Sequence, residues 1–177
     1  MKKIIFSAVI FVALTTIFSF VVPEKWKINT YDINFTTSGV SGVFKTLTGD
    51  IVFDENDFAQ SKFDITIDAN SIATGNTMMD EDAKGKSWFD AATYPGIQFT
   101  SAKIIKTPTG FEATGNLRVH GITKEIKLPF TFKRSEIANT AIFSGSFDVN
   151  RVDFSIGKPG NDVGEVLKVN VALSVIK

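Results

Sequence analysis

The chain has 177 residues, a length for one domain rather than two, and its 19 Lys+Arg against 19 Asp+Glu leave no basic excess that would mark a nucleic-acid binder. It has no cysteine, which excludes disulfides, thiol catalysis, Fe–S clusters and Cys-based zinc sites. The single histidine, His120, is too few for a multi-histidine metal site, and 17 Phe beside 2 Tyr and 2 Trp call for a large core or an apolar cavity.

Lys2 and Lys3 precede an uncharged run from Ile4 to Val22, interrupted only by Ser7, Thr15, Thr16 and Ser19. A basic n-region followed by an apolar h-region is the pattern of a secretory signal peptide. The run is also close to the roughly 20 residues that span a bilayer, so an uncleaved anchor is the other reading of residues 1–22. Either way the domain at 24–177 is expected to be exported, to the periplasm or outside the cell. Removing residues 1–22 leaves 17 basic against 19 acidic side chains and 13 of the phenylalanines, so the enrichment belongs to the domain.

From Trp26 the sequence alternates. Trp26, Ile28, Ile33, Phe35 and Thr37 fall at period two, with Lys27, Asn34 and Thr36 between them. Lys62-Phe63-Asp64-Ile65-Thr66-Ile67-Asp68 segregates three apolar from four polar side chains, which a half-buried strand can do and a helix cannot. The same period marks Val43–Phe53, Ile97–Ile105, Phe111–Val119, Thr123–Phe132, Ile142–Asn150 and Leu167–Val175, about eight strands in all. Turn residues separate them at Ser38-Gly39, Asp54-Glu55-Asn56-Asp57, Pro108-Thr109-Gly110, His120-Gly121 and Lys158-Pro159-Gly160-Asn161. An all-β barrel or sandwich of antiparallel strands follows. Pro129 inside a strand predicts an edge, a bulge or a break there.

Residues 71–95 do not alternate. Thr77 with Asp80, and Ser87 with Asp90, each match a capping box, and Pro95 forbids a helix beyond Tyr94. One or two short helices are expected, lying across the barrel and carrying Trp88 and Phe89 inward as a lid.

No motif assembles an active site, so no enzyme, cofactor or metal is expected. Asp80-x-Asp82-x-Lys84-Gly85 starts like a calcium loop, but Lys84 cannot be a ligand and Ala91 stands where the bidentate Glu belongs. Gly85-Lys86-Ser87 ends like a phosphate loop whose first glycine would fall on Asp80, a carboxylate that repels phosphate. There is no G-x-S-x-G elbow. His120 either contacts a ligand head group or bonds the backbone at its turn.

Three segments carry a family resemblance. Ser71-Ile72-Ala73-Thr74-Gly75-Asn76 with Ser87-Trp88-Phe89-Asp90-Ala91-Ala92-Thr93-Tyr94-Pro95-Gly96-Ile97-Gln98-Phe99 resembles the SI-x-TGN…FFD-x-x-x-YP-x-I-x-F segment of the YceI-like family. Gly115-Asn116-Leu117-Arg118-Val119-His120-Gly121-Ile122-Thr123-Lys124 resembles its GxLTIxGVTK hairpin, and Asn150-Arg151-Val152-Asp153-Phe154-Ser155-Ile156-Gly157 its NRxDFGIG strand end. Here Ser155 replaces a glycine, and Met79–Lys84 lacks a histidine that the family carries. The resemblance implies an eight-stranded lipocalin-like barrel that binds a polyisoprenoid, isoprenoid quinone or fatty-acid derivative for lipid transport or storage.

In such a barrel a buried alkyl chain gains about 0.8 kcal/mol per CH₂, and Phe lines the site without a donor left unsatisfied. The candidate lining is Phe35, Phe44, Phe63, Ile65, Phe99, Phe130, Phe132, Phe143, Phe147 and Phe154, with Trp88 and Phe89 closing one end. Arg151, then Arg118 and His120, are the candidates for a head group. A homodimer with chains entering at the interface is compatible with this pattern. Two alternatives remain at this stage. An outer-membrane barrel would also alternate, although two Tyr and two Trp cannot build two aromatic girdles. A barrel packed solid, serving as an interaction or stress-response module without a lipid, would show the same parity.

Overall fold

The computed structural model describes residues 24–160 and 162–177; the signal-peptide or anchor segment 1–22 lies outside the described residues. Among the described residues there are ten strands: β1 (Lys25–Thr37), β2 (Val40–Phe44), β3 (Leu47–Val52), β4 (Lys62–Asp68), β5 (Ile72–Ala73), β6 (Gly96–Thr107), β7 (Gly110–Val119), β8 (Ile122–Arg134), β9 (Thr140–Asn150) and β10 (Val166–Ile176). One α-helix of these residues, α1 (Thr77–Lys84), interrupts them. Eight strands close antiparallel in the ring β1–β3–β4–β6–β7–β8–β9–β10, and β10 pairs back onto β1 from Lys27↔Ile176 to Thr36↔Lys168. With that closure every strand of the ring has a neighbour on both sides over at least part of its length.

The predicted strand Val43–Phe53 is two strands. At the kink the Thr46 amide donates to the Ser71 hydroxyl at 3.0 Å, and the Lys45 amide is shared between that hydroxyl and the Ser71 carbonyl, at 3.1 Å each. Past that kink β3 stays in the wall, whereas β2 pairs with the far end of β1 and with the two-residue β5, forming a flap at one end of the barrel. The β7–β8 turn is the two-residue type that needs positive φ twice, and His120 and Gly121 supply 50° and 75°.

In the 71–95 segment only the first capping signal opens a helix, and it does so one residue early. Asn76, not Thr77, is the N-cap: its side chain accepts from the amides of Met78 and Met79 at 3.0 and 3.2 Å. Ser87–Asp90 forms turns instead of a second helix, because the Trp88 and Asp90 amides both bond back to the Gly85 carbonyl, at 3.0 Å each.

The two ends of the barrel differ. Glu24, the 53–61 loop, the β6–β7 and β8–β9 turns and Lys177 gather at one end, and the 71–95 segment, His120-Gly121 and the 151–165 loop at the other. The first end is packed solid. Phe53 is fully buried, and its ring meets those of Phe63, Phe111, Phe130, Phe132 and Phe143 at centroid distances of 5.0–6.1 Å, mostly edge to face. Below it the Trp26 indole donates to the Phe53 carbonyl at 2.9 Å.

Charges cap this end. Arg134 bonds Glu55 at 2.6 Å and Glu24 at 3.0 Å, Lys177 bonds Glu24 at 2.5 Å, and the guanidinium lies 5.6 Å over the Trp26 ring. Burial alone would push the Glu24 carboxyl up, but the bonds from Lys177 and Arg134 outweigh it and hold the group below its ordinary range. A lowered carboxylate stabilises the fold at neutral pH and stops doing so as pH falls through its folded-state value, so this cap is expected to loosen in acid.

Candidate functional site: an apolar cavity under a lid

Above the phenylalanine plug the inward side chains do not meet across the barrel, and a cavity of about 390 Å³ remains. Of the predicted lining, Phe35, Phe44, Phe63, Ile65, Phe99, Phe130, Phe143, Phe147 and Phe154 face it, and Trp88 and Phe89 roof it. Phe132 does not reach it. It lies in the plug, with its ring 5.5 Å from Trp26 and 5.0 Å from Phe53. Phe63, Phe130 and Phe143 do both jobs, since they touch Phe53 below and the cavity above.

The lining also includes aliphatic residues that a search for aromatics passes over, among them Ile33, Leu47, Ile67, Ile97, Leu117, Val119, Ile126, Val149, Val169 and Leu173. The signal for them was present, because they share the inward parity of the phenylalanines on their strands. Asp82 and Arg151 are the charged members of the lining, and Thr37, Thr74 and Ser144 the hydroxylic ones. The wall is therefore almost wholly apolar, and what it offers is hydrophobic burial.

The lid is built from short-range polar contacts. Asp80 on α1 reaches back over the turn, accepting from the Thr74 hydroxyl at 2.7 Å and the Thr74 amide at 2.6 Å. Those bonds hold its carboxyl below the usual carboxylate range. Trp88 and Phe89 follow. Phe89 packs edge to face on Phe44 at 5.9 Å, and the Gly157 amide donates to the Ser87 carbonyl at 3.0 Å, tying the lid to the 151–165 loop. Because the Asp80 carboxylate is the stabilised form, acidification through its lowered pKa is expected to release Thr74 and loosen the base of the lid. An NMR titration checks this: the Thr74 amide proton moves upfield with a midpoint below that of a free aspartate, and in Asp80→Asn the step disappears. A midpoint at the ordinary aspartate value would contradict the bond.

Arg151 is 2% exposed. Its Nε donates to the Gly164 carbonyl at 3.0 Å, Nη1 to Ile156 at 2.7 Å, and Nη2 to Lys158 at 3.1 Å and Val163 at 2.7 Å. The guanidinium plane also lies 5.2 Å from the Trp88 ring centre. Its fork thus staples the 156–164 loop to the lid. His120 is at the same end but outside the cavity: its Nδ1 lies 3.2 Å from the Phe154 carbonyl, and its ring meets Tyr94 at 4.9 Å. A carbonyl only accepts, so in this bond Nδ1 carries the proton. Arg118 is exposed on the outer face of β7 and does not line the cavity. The structure thus brings one of the three head-group candidates, Arg151, to the cavity wall.

A closed eight-stranded antiparallel barrel, half filled by side chains and half hollow, places the chain among the cavity-bearing up-and-down barrels. Comparison with known proteins names the group: a family model described as "YceI-like domain" matches residues 21–175, and the chain belongs to the YceI family. A UPF0312 protein of Vibrio parahaemolyticus is 32% identical over 106 residues, 56% of either chain, and one of Yersinia pestis is 32% identical over 91 residues, 51% of this chain and 47% of that one. The matched stretch thus spans about half the length of these curated relatives. Among solved structures, Burkholderia cenocepacia BcnA superposes with a TM-score of 0.75 at 26% identity, covering 81% of this chain and 95% of that one. A YceI protein of Campylobacter jejuni gives 0.71 at 25%, covering 80% and 87%. A polyisoprenoid-binding domain from Saccharophagus degradans gives 0.64 at 16% identity, covering 86% and 97%, a likeness of fold.

Proposed function

We propose that the barrel binds the apolar tail of a long-chain amphiphile, such as a polyisoprenoid, an isoprenoid quinone or a fatty-acid derivative. We further propose that it does so as an exported carrier or store, delivered by residues 1–22. The observation that carries the reading is the cavity: about 390 Å³ lined almost wholly by aliphatic and aromatic side chains beneath an aromatic lid. A slender chain matches a barrel of this girth, and no array of polar groups is present in the lining to orient a compact polar substrate. Family membership and barrel neighbours point to a binding protein, and the domain named as polyisoprenoid-binding shares the fold.

Each chain carbon buried there is worth roughly 0.8 kcal/mol, so a dozen give about 10 kcal/mol before the cost of association. The test is to express the full chain with its own N-terminal segment, purify it without detergent, and combine native mass spectrometry with organic extraction. A stoichiometric adduct that extracts as a prenyl or long acyl chain supports the reading. A bare polypeptide mass that takes up neither added polyprenol nor fatty acid would turn it toward a packed interaction module. The same spectrum reports whether residues 1–22 are removed.

A further inference from the structure

The wall of the barrel is not sealed all round. β8 pairs with β7 along its length, from Ile122↔Val119 to Phe130↔Phe111, but its ladder with β9 runs only from Phe130↔Gly145 to Arg134↔Ala141. Beyond Gly145, toward the lid, β9 continues to Asn150 paired with β10 alone. The physical cause is Pro129. Ile122 closes a two-residue turn against Val119, so the inward members of β8 turn their backbone groups toward β7 and the outward members turn theirs toward β9. Pro129 is an outward member and has no N–H to give, so the ladder stops where a donor is missing.

The cavity reaches this gap. Pro129 and Ser144 are exposed on the outside of the barrel, yet both line the cavity, as does Gly145 between the two strands. In a sealed wall, outward residues such as Pro129 and Ser144 would not touch the interior.

We propose that the seam between β8 (residues 122–129) and β9 (residues 146–150) is a lateral opening through which part of a bound chain leaves the barrel, which makes the cavity a tunnel and not a blind pocket. The inference rests on the amphiphile reading above and adds a consequence for chain length. A blind cavity would reject tails longer than its own depth, whereas a tunnel accepts them by letting the excess lie in the seam.

The test closes the seam. Continuing the Phe130↔Gly145 register places Lys127 opposite Asp148, both exposed, and the chain has no other cysteine to interfere with a disulfide between K127C and D148C. Geraniol, farnesol and geranylgeraniol, of two, three and four isoprene units, serve as probes by isothermal titration in the full-length protein. In the reduced double variant and the wild type, affinity is expected to hold or rise through geranylgeraniol. In the oxidised variant, with the cross-link confirmed by intact mass, geranylgeraniol is expected to weaken by about tenfold or more while geraniol is unchanged. Pro129→Val, which restores the missing donor, should shift the profile the same way without any cross-link. Equal geranylgeraniol affinity in the oxidised and reduced proteins would overturn the lateral opening. If none of the three prenols bound the wild type, the amphiphile reading itself would fall, whatever the cross-link did.

Discussion

Phe53→Ala is expected to destabilise the protein by about 3–5 kcal/mol, the range for emptying a fully buried phenylalanine site. The ring is at the centre of the plug, and five other phenylalanine rings lean on it within 6.1 Å. Edge-to-face pairs add about 0.5–1.5 kcal/mol each beyond the area they bury, although pairs sharing one ring do not sum simply. The surrounding strands are locked in a closed ladder and cannot collapse into the void, so the cost belongs at the upper end. Chemical denaturation with an unchanged slope measures it. Phe147→Ala supplies the contrast: that side chain is half-buried and faces existing empty space, so its loss creates little new cavity and should cost clearly less. Equal costs at the two positions would mean that the plug is no better packed than the cavity wall.

Replacing Arg151 is expected to have an effect of similar size by a different route. Arg151→Met removes the donors that satisfy the carbonyls of Gly164, Ile156, Lys158 and Val163. The bond to the Ile156 carbonyl is buried, and an acceptor left short of its donor there costs about 1–3 kcal/mol, while water can reach the part-buried carbonyls, so a total near 3 kcal/mol is expected. Arg151→Lys should recover only part of it, because an ammonium is a point donor and cannot bridge carbonyls on both sides of a planar fork. Trp88 gives a second readout: with the guanidinium gone from its face, its fluorescence should shift toward that of a solvent-exposed indole. A phosphate-binding role for Arg151 predicts the opposite pattern, unchanged stability with a selective loss of affinity for phosphorylated lipids. Finding that pattern would return Arg151 to the head-group assignment.

These two residues also show where sequence reading runs out. From its motif, Arg151 was a conspicuous cation near a strand end, which suited a head group. The carbonyls of Gly164, Ile156, Lys158 and Val163 that it bonds come from a loop 5–13 residues further along, and no pattern in the chain announces that the loop folds back over it. In the sequence Phe53 is simply the last residue of the alternating stretch Val43–Phe53. Its importance comes from five rings on other parts of the chain, from Phe63 to Phe143.

What the sequence determined by itself is everything that follows from alternation. Period two is a local property of an extended backbone, so eight of the strands, their inward faces and the turn at His120-Gly121 could be read directly, and the parity that marks Phe63 marks Ile65 and Ile67 equally well. The irregular 71–95 segment was legible as a lid for the same reason, as the place where alternation stops. Parity cannot say what an inward side chain meets across the barrel. Phe132 and Phe130 share a strand and a face, yet one is wholly within the plug and the other also borders empty space, because that outcome depends on ring closure and on which strands converge at each height. Pro129 inside a strand is compatible with an edge, a bulge or a break, and the turn that aims its missing N–H at β9 selects among them. The tertiary structure decided the void, the plug and the seam, since each depends on residues that are distant along the chain and become neighbours only when β10 pairs with β1.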